Sequence, residues 1–518
     1  MQEKRSENVM TRLSRFIVDK RKAFFMVFLV ASVFCVGSID KVEVNDDITS
    51  YLPAETETRR GLDLMEQEFI TLASADVMVD NITYQRAEAL SGKLADIPGV
   101  SEVAFDDTSD HYWGAAALFS VTFDGEADAY IINTCTVTAV SDKKSRQMIR
   151  RARKLSPNAV VAVCGCYAQT KPGDVEKLDV DLISGTGDRM RFLDLLESAV
   201  REREPVIDLD QALRRRRFEV LPAGGLRERT RAMLKVEDGC VNFCSYCIIP
   251  YARGPVRSLP IETAVEETRR LREEGYREIV LTGIEISSWG QDLRDGTSLI
   301  DLLEAVSAAA GDMRLRLGSL EPRTITGDFC RRAAALDNLC PHFHLSLQSG
   351  CDDTLRRMNR KYDTARYKES VNLLNVYFSR PAITTDLIVG FPGEAEEEFV
   401  RTLDFIRSCR FAEMHIFPYS IRTGTPAAEM EQVPKSVKEE RAARAAAAAE
   451  EMRRDYLAGC VGEAYPVLYE QVYDGRWQGH APNYVRVAAA SGEGLHNRVV
   501  MTRITGVEGD LLIGELIS

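Results

Sequence analysis

Hydrophobic and polar positions alternate between strand-length and helix-length blocks over residues 231–420. Short apolar runs are separated by amphipathic segments such as 261–275 and 394–409. Strands and helices that alternate in this way form a parallel sheet covered by helices. The six runs lie at 232–239, 278–285, 314–320, 342–349, 383–391 and 413–420. Because a closed barrel needs eight such units, the pattern predicts an open, partial (β/α)6 barrel with its chemistry at the carboxyl ends of the strands.

A shorter stretch with the same alternation precedes the barrel. Apolar runs at 129–135, 159–166 and 180–187 are separated by polar segments, including a basic one at 141–155. This pattern predicts a second α/β module with a parallel sheet over 128–205. A polar linker follows and contains Arg214–Arg217. Such a run is either a solvated charged surface or a set of phosphate contacts.

The C-terminal part changes to an alanine-rich segment and then to short β-like runs. Residues 434–456 have strong intrinsic helix propensity, and the short β-like runs of 457–518 resemble the TRAM module, a small β-barrel of the oligonucleotide-binding type. Basic and aromatic residues suited to stacking on bases and contacting phosphates occur in this barrel. For Trp477 and Tyr484, a place in the barrel core is an equal alternative. The predicted RNA-binding residues are Arg476, Trp477, His480, Tyr484 and Arg486.

The N-terminal segment has a different character. Residues 23–39 carry no charge over 17 positions, follow a basic stretch and precede an acidic one. This length and charge asymmetry predict a transmembrane helix with a cytoplasmic N-terminus. A signal peptide and a buried core helix are the alternatives.

Composition narrows the possible functions. The chain has 518 residues, a net charge of −13 and 12 cysteines. The acidic balance argues against diffuse binding to nucleic acid, so any RNA contact needs a local basic patch. The cysteines are too few for a secreted disulfide scaffold and too clustered for chance, which indicates metal or redox chemistry in a reducing compartment.

The cysteine cluster is the strongest chemical signal. Cys240, Cys244 and Cys247 have the spacing C-x3-C-x2-C just after the first strand of the barrel. A structural zinc site needs a fourth ligand nearby, but the next cysteine is Cys330 and the next histidine is His342. A disulfide would leave one thiol over. Three ligands instead suit a catalytic metal site with an open position.

This spacing after the first strand of a βα repeat resembles the radical S-adenosylmethionine (SAM) superfamily. The resemblance implies that Cys240, Cys244 and Cys247 bind a [4Fe-4S] cluster whose open iron chelates SAM, and that one electron then cleaves SAM to a 5′-deoxyadenosyl radical. "LTGIE" (281–285) and "TDLIVGFPGE" (385–394) partly match the family's SAM-binding motifs. For each polar group the alternative is an ordinary capped strand end. The implied SAM-binding residues are Gly283, Glu285, Ser319, Glu321, Ser346, Gln348, Asp386 and Gly390.

Longer stretches narrow the resemblance. "INTCTVT", "VAVCGCYAQ", "KVEDGCVNFCSYCIIPYARGPVRSLP", "LTGIEISSWGQDL" and "HLSLQSGCDDTLRRMNRKY" closely resemble tRNA methylthiotransferases, nearest the branch that acts on N6-threonylcarbamoyladenosine beside the anticodon. The resemblance implies a truncated flavodoxin-like module (128–205), a radical SAM barrel (226–433), a connecting helix (434–456) and a TRAM RNA-binding domain (457–518). It also implies an auxiliary [4Fe-4S] cluster on Cys135 and Cys166. The implied partners are tRNA, a flavodoxin- or ferredoxin-type reductant and a sulfur donor, in the cytoplasm.

One departure from the family concerns the start of the chain. The family's first auxiliary-cluster cysteine has no counterpart, and only Cys35 lies upstream of Cys135. Cys164 either replaces that missing cluster ligand or is a small buried hydrophobic residue. Residues 1–127 instead resemble the α/β start of an MMPL/RND-type exporter, which implies possible membrane anchoring through 23–39. The alternatives are therefore a radical SAM protein that cleaves SAM without inserting sulfur, or an export fragment in a chimeric chain.

Overall fold

The computed structural model describes residues 73–80, 100–106, 116–123, 129–136, 138–221, 223 and 230–517. Leu72–Ser518 form one compact unit. Across the described ranges, no helix has both the length and the apolar character that a membrane crossing requires. The helix predicted at 23–39 lies outside these ranges, as does most of the exporter-like fragment. Its described strands, β1 (Ala73–Asp80), β2 (Val100–Asp106) and β3 (Ala116–Phe123), form an antiparallel sheet in the order β1-β3-β2.

A four-stranded parallel sheet follows, with its strands in chain order. Its apolar core joins strand residues such as Val160 and Leu182 to Phe192 and Ala199 of the last helix. The prediction of an α/β module with a parallel sheet is confirmed. The elements are β4 (Ala129–Thr134), α1 (Ala139–Leu155), β5 (Val160–Gly165), α2 (Cys166–Thr170), α3 (Pro172–Glu176), β6 (Leu182–Ser184), α4 (Arg189–Glu202) and β7 (Val206–Asp208).

Six parallel strands build the next domain, as the sequence predicts. They form two three-stranded sheets, β8-β11-β12 and β13-β14-β15, which isolated bridges such as Leu320 to Leu345 join into one curved wall. The strands are β8 (Arg231–Lys235), β11 (Glu278–Thr282), β12 (Arg314–Leu317), β13 (His342–His344), β14 (Ala382–Val389) and β15 (Glu413–Pro418). A small antiparallel pair, β9 (Glu237–Asp238) and β10 (Arg257–Ser258), flanks the first strand.

Helices cover the outer face of this wall. One of them, Leu299–Ala310, begins with a capping box of Ser298 and Asp301 and buries its leucines in the main core. The helices are α5 (Ile249–Arg253), α6 (Ile261–Glu273), α7 (Leu299–Ala310), α8 (Gly327–Ala333), α9 (Asp352–Arg357), α10 (Thr364–Tyr377) and α11 (Glu396–Cys409).

The chain ends in a closed five-stranded β-barrel in the order β16-β17-β18-β20-β19. Helix α12 (Lys435–Cys460) leads into it and runs past the predicted end at residue 456, because Leu457 and Cys460 pack in the small barrel's core. The strands are β16 (Ala464–Tyr473), β17 (Arg476–His480), β18 (Arg486–Ala489), β19 (Arg498–Glu508) and β20 (Leu511–Leu516).

The small barrel packs against the amino-terminal ends of the (β/α)6 strands. There Arg316 donates two hydrogen bonds to Glu278 (2.7 and 3.0 Å), and Arg314 forms an ion pair with the same carboxylate at 2.6 Å. Arg316 also donates to the carbonyl of Pro482 (2.9 Å), and Arg314 to that of His480 (3.1 Å). These five residues form what we call the barrel floor. The two domains therefore share a buried polar contact.

Candidate active site

The cysteine loop lies between β9 and α5, at the carboxyl end of the first barrel strand as predicted. Gly239 opens the loop with φ +95°, and a Cβ there would lie 2.1 Å from the carbonyl oxygen of Pro255. Only glycine avoids that clash. The amide of Cys240 donates to the carbonyl of Gly254 (3.0 Å), and that of Cys247 to the carbonyl of Cys244 (2.9 Å). The backbone thus holds the three cysteines on one tight loop.

The thiols of this loop occupy a buried electrostatic environment. Burial raises the pKa of Cys240 and of Cys247 to about 12. The Cys244 sulfur accepts a hydrogen bond from Nη1 of Arg360 at 3.3 Å, and Nε of Arg360 donates to the Tyr362 hydroxyl at 3.0 Å. Because metal ligation requires thiolates, a bound cation would reverse the raised pKa values. Three thiols on one short loop, within electrostatic reach of one another and beside a hydrogen-bonded guanidinium, suit an iron–sulfur cluster.

Two buried carboxylates adjoin the thiols. Glu237 accepts from the amide of Glu285 at 2.8 Å, and Glu285 also accepts from the Ser288 hydroxyl. Burial raises the pKa of Glu285 to about 7, and this carboxyl lies within electrostatic reach of Cys240. In the described part of the chain, Oε1 of Glu237 and Oε1 of Glu285 have no hydrogen-bond partner. Unsatisfied buried acceptors beside a metal site suit a ligand that carries an amino group, as SAM does.

The structure places the other predicted SAM-binding residues along neighbouring strand ends. Gly283 approaches Glu237 so closely that a Cβ would lie 2.8 Å from its carboxylate. The Glu321 carboxylate accepts a hydrogen bond from Nε of Arg323 at 2.9 Å. Asp386 lies inside β14 and faces Nε2 of His344 at 3.3 Å. The remaining four, Ser319, Ser346, Gln348 and Gly390, follow β12, β13 and β14 at the same edge.

Cys135 and Cys166 directly follow two adjacent parallel strands. Thr134 of β4 pairs with Gly165 of β5, so both cysteines lie at one sheet edge. Gly165 has φ +96°, and a Cβ there would lie 2.3 Å from the carbonyl oxygen of Thr134. Cys164 packs against the apolar core of the module instead. Cys164 is half-buried there, and its role as a substitute ligand stays a prediction.

A buried polar contact joins the edge that carries Cys135 to the barrel. Asp142 of α1 accepts from the Thr136 hydroxyl (2.8 Å), from Nζ of Lys171 (3.0 Å) and from Nη1 of Arg422 (3.1 Å). Arg422 follows β15 and lies within electrostatic reach of Cys135. The two cysteine groups therefore lie on sheet edges that contact each other. The sequence interpretation missed Arg360, Asp142 and Arg422, although Arg360 belongs to the matched stretch "RRMNRKY".

The five predicted RNA-binding residues occupy two different places. Arg486 is exposed and Arg476 pairs with Glu508 at 2.8 Å, while Trp477 packs against the small barrel's core. His480 is buried and stacks on Tyr484 with 4.8 Å between ring centroids. The Tyr484 hydroxyl accepts from Arg231 at 3.0 Å, and its ring lies 4.5 Å from the guanidinium of Arg316. His480 and Tyr484 thus belong to the contact between domains, and their role as RNA contacts stays a prediction.

Fold and cysteine loop together define a radical SAM enzyme, and a family model described as "Radical SAM superfamily" matches residues 234–406. A second model, "Uncharacterized protein family UPF0004", matches 113–185. Threonylcarbamoyladenosine tRNA methylthiotransferase MtaB of Bacillus subtilis is 39% identical over 389 residues, covering 74% of this chain and 86% of the relative. The Thermotoga maritima enzyme of the same name is 37% identical over 71% of this chain and 85% of its own length. The chain therefore belongs to the tRNA methylthiotransferase family.

Relatives with a second name match almost as well. The tRNA-2-methylthio-N(6)-dimethylallyladenosine synthase of Acetivibrio thermocellus is 35% identical, covering 75% of this chain and 84% of the relative. Among solved structures, the radical SAM methyltransferase TsrM from Kitasatospora setae, with cobalamin and a [4Fe-4S] cluster bound, is 17% identical. Its TM-score is 0.45, with 59% of this chain and 66% of that chain covered.

The comparisons confirm several predictions and leave others without support. The enzyme is a tRNA methylthiotransferase of the radical SAM class that uses a [4Fe-4S] cluster and SAM. A [4Fe-4S] cluster held by Cys240, Cys244 and Cys247 would supply the electron for the cleavage of SAM. The exporter-like fusion and the membrane anchor gain no support from these matches. The UPF0004 match begins at residue 113, ahead of the junction predicted near residue 127.

Proposed function

We propose that this enzyme converts N6-threonylcarbamoyladenosine beside the tRNA anticodon to its 2-methylthio derivative. The observation that carries the proposal is the 39% identity to the Bacillus subtilis relative of that name over most of both chains. The dimethylallyladenosine substrate is the second candidate, because relatives that carry that name reach 37% identity. The two substrates differ in the N6 substituent, which is anionic in the first and apolar in the second.

The proposed roles follow the placement of the side chains. Cys240, Cys244 and Cys247 hold the radical cluster, and Arg360 orients Cys244 through its hydrogen bond of 3.3 Å. Glu285 accepts from the SAM amino group through the oxygen that otherwise lacks a partner. Ser319, Ser346, Gln348 and Gly390, which follow the next strands, contact the rest of SAM. Arg476, Trp477 and Arg486 are the better placed of the predicted RNA contacts, since they lie away from the barrel floor.

A second cluster on Cys135 and Cys166 remains part of the proposal. Their shared edge contacts the barrel through Asp142 and Arg422, and this contact supports an auxiliary cluster on the side of the radical site. Two cysteines are one fewer than the three that hold the radical cluster. The alternative outcome is an enzyme that cleaves SAM without inserting sulfur. Complete turnover also needs a one-electron reductant and a sulfur donor.

Nucleoside analysis of defined tRNAs tests the proposal. Anaerobically reconstituted protein is mixed with SAM, dithionite, sulfide and a tRNA that carries either N6 substituent, and digested nucleosides are measured by mass spectrometry. We expect the methylthio product from the threonylcarbamoyl tRNA at least tenfold faster than from the dimethylallyl tRNA. The reverse preference would show that the enzyme acts on dimethylallyladenosine. Formation of 5′-deoxyadenosine without either methylthio product would favour the alternative, in which the enzyme cleaves SAM without inserting sulfur.

Cysteine variants link that result to the radical site. The change Cys244→Ala removes one of three thiolates, so it should abolish the radical cluster and all 5′-deoxyadenosine formation. Cys409→Ala, in the barrel core, is the matched control and should retain both. SAM cleavage that survives in Cys244→Ala would overturn the assignment of the loop.

A further inference from the structure

A second group of metal-ligating side chains lies within the barrel, on strands β13, β14 and β15. His344 pairs in register with Thr384, and Asp386 pairs with His415. Residues paired across parallel strands point to the same face of the sheet. Thr385, between Thr384 and Asp386, meets the Tyr367 hydroxyl of α10 at 3.2 Å and so faces the helices. His344, Asp386 and His415 therefore face the interior.

The three side chains converge closely. One ligand atom from each lies within 4.8 Å of the other two, and Nε2 of His344 is 3.3 Å from Oδ2 of Asp386. Nδ1 of His344 lies 3.0 Å from the Thr384 hydroxyl, which fixes the ring and turns Nε2 toward Asp386. A hydrogen bond on the second ring nitrogen is what metal-binding histidines usually make. His344 is only 1% exposed, so its ring has little freedom to turn away.

A comparison within the same protein separates this group from ordinary ion pairing. Cys351, Asp353 and Glu398 also lie close together. Arg357 donates to both carboxylate oxygens of Glu398, at 3.0 and 2.6 Å, so the charge of the second group is already neutralised by a salt bridge. Asp386 forms no direct ion pair with lysine or arginine in the described part of the chain, and its close neighbours are the two imidazoles. The donor atoms of the interior group are thus those of a metal site.

We propose that His344, Asp386 and His415 bind one divalent first-row transition-metal ion, distinct from the iron–sulfur clusters. Two imidazoles and one carboxylate are a recognised ligand set for such ions, with positions left open for other ligands. Metal–ligand bonds of about 2.1 Å put neighbouring ligand atoms about 3.0 to 3.5 Å apart. The ligand atoms of His344 and Asp386 already have that separation. A small movement of the His415 ring would bring its ligand atom to the same distance from the other two.

The site shares the interior with the radical centre. Arg360, which donates to Cys244, is also within electrostatic reach of Asp386. The open positions of a bound ion would face this interior, where an oxygen or nitrogen ligand of a substrate can reach them. The inference does not rest on which N6 substituent the enzyme accepts.

Binding of Mn²⁺ to the reconstituted full-length enzyme tests the site directly. Mn²⁺ prefers oxygen and nitrogen ligands over thiolates, and its electron paramagnetic resonance spectrum is readable beside an oxidised, diamagnetic [4Fe-4S] cluster. The titration is done without SAM, for the unaltered protein, His415→Gln, Asp386→Asn and the control Asp353→Asn. Iron content and circular dichroism are measured on every sample.

The expected result is one bound Mn²⁺ per chain, with the dissociation constant at least tenfold higher in His415→Gln and Asp386→Asn and unchanged in Asp353→Asn. Iron content should stay constant across the set. Electron spin-echo modulation of the unaltered protein should show imidazole nitrogen coupling, a readout that needs no variant to fold. No saturable binding, equal affinity in all four proteins, or binding without nitrogen coupling would show that the group is a hydrogen-bonded cluster only.

Discussion

Replacing Glu278 by glutamine tests how far the barrel floor stabilises the protein. The carboxylate is fully buried and receives two hydrogen bonds from Arg316, at 2.7 and 3.0 Å, and an ion pair from Arg314 at 2.6 Å. Glutamine keeps the shape but removes the charge, and its NH2 group turns a donor toward a guanidinium. Breaking a buried pair from one side typically costs about 3 to 5 kcal/mol, and we expect a loss in this range.

The assay is urea unfolding followed by circular dichroism at 222 nm, for the unaltered protein, Glu278→Gln and Glu304→Gln. Glu304 pairs with Arg332 at 2.6 Å on the surface, where an ion pair contributes about 0 to 1 kcal/mol. The control should therefore shift the midpoint little. A decrease of less than about 1 kcal/mol in the free energy of unfolding of Glu278→Gln would refute the reasoning, because removing a buried carboxylate leaves two buried arginines without their counter-charge.

Acidification adds a second check on the same residue. The neighbouring arginines hold the pKa of Glu278 well below its usual range in the folded protein, despite burial. A depressed folded-state pKa gives stability that is present above the unfolded pKa, about 4.3, and is lost as the pH falls below it. The difference between the two proteins should thus stay constant from pH 7 to pH 5 and shrink only below about pH 4.3.

Three further predictions concern the sites. Burial raises the pKa of Glu285 to about 7. The affinity for SAM, measured by calorimetry, should therefore rise between pH 6 and pH 8 as the carboxylate forms. The change Glu285→Gln should weaken SAM binding and remove most of this pH dependence. The change Gly165→Ala forces a methyl group onto the backbone of β4. The iron content should then fall toward about four per chain, the content of a single cluster. The control Gly173→Ala places its methyl group in open space and should leave the iron content unchanged. Tyr484→Phe removes one acceptor of Arg231, which keeps its ion pair with Glu470 at 2.8 Å, and we expect a loss of about 1 kcal/mol in the same urea assay. An unchanged midpoint would count against the contact between domains.

The strands and helices were predictable because their signals are local. Strand-length apolar runs and capped amphipathic helices such as α7 need no knowledge of distant residues. Strand β13 was predicted too long, over 342–349, and ends at His344. Beyond it the chain departs from regular pairing and reaches a left-handed conformation at Gln348, with φ +67°. The apolar pattern does not reveal that departure.

The site divides in the same way between local and long-range information. Cys240, Cys244 and Cys247 stand out because their spacing is short. Arg360 meets Cys244 across 116 residues of sequence, and Arg422 meets Asp142 across 280. Only the fold creates such neighbours, so spacing rules do not find them.

The basic and aromatic residues of the C-terminal barrel show a different limit. Tyr484 is an aromatic residue of the kind found on RNA-binding surfaces, yet it stacks on His480 and accepts a hydrogen bond from Arg231 in the contact between two domains. Guanidinium groups stack on aromatic rings in both settings. Composition alone therefore does not separate an RNA contact from an internal one.

The position of the small barrel at the floor has a consequence for how the enzyme can be divided or recombined. Removing residues 457–518 would take away the carbonyls of His480 and Pro482 that Arg314 and Arg316 contact, and would expose Glu278 and its arginines to water. The small barrel therefore covers the amino-terminal end of the (β/α)6 strands in addition to carrying the predicted RNA contacts. Exchanging it for an unrelated domain would require new partners for Arg231, Arg314 and Arg316, so the two domains are expected to change together.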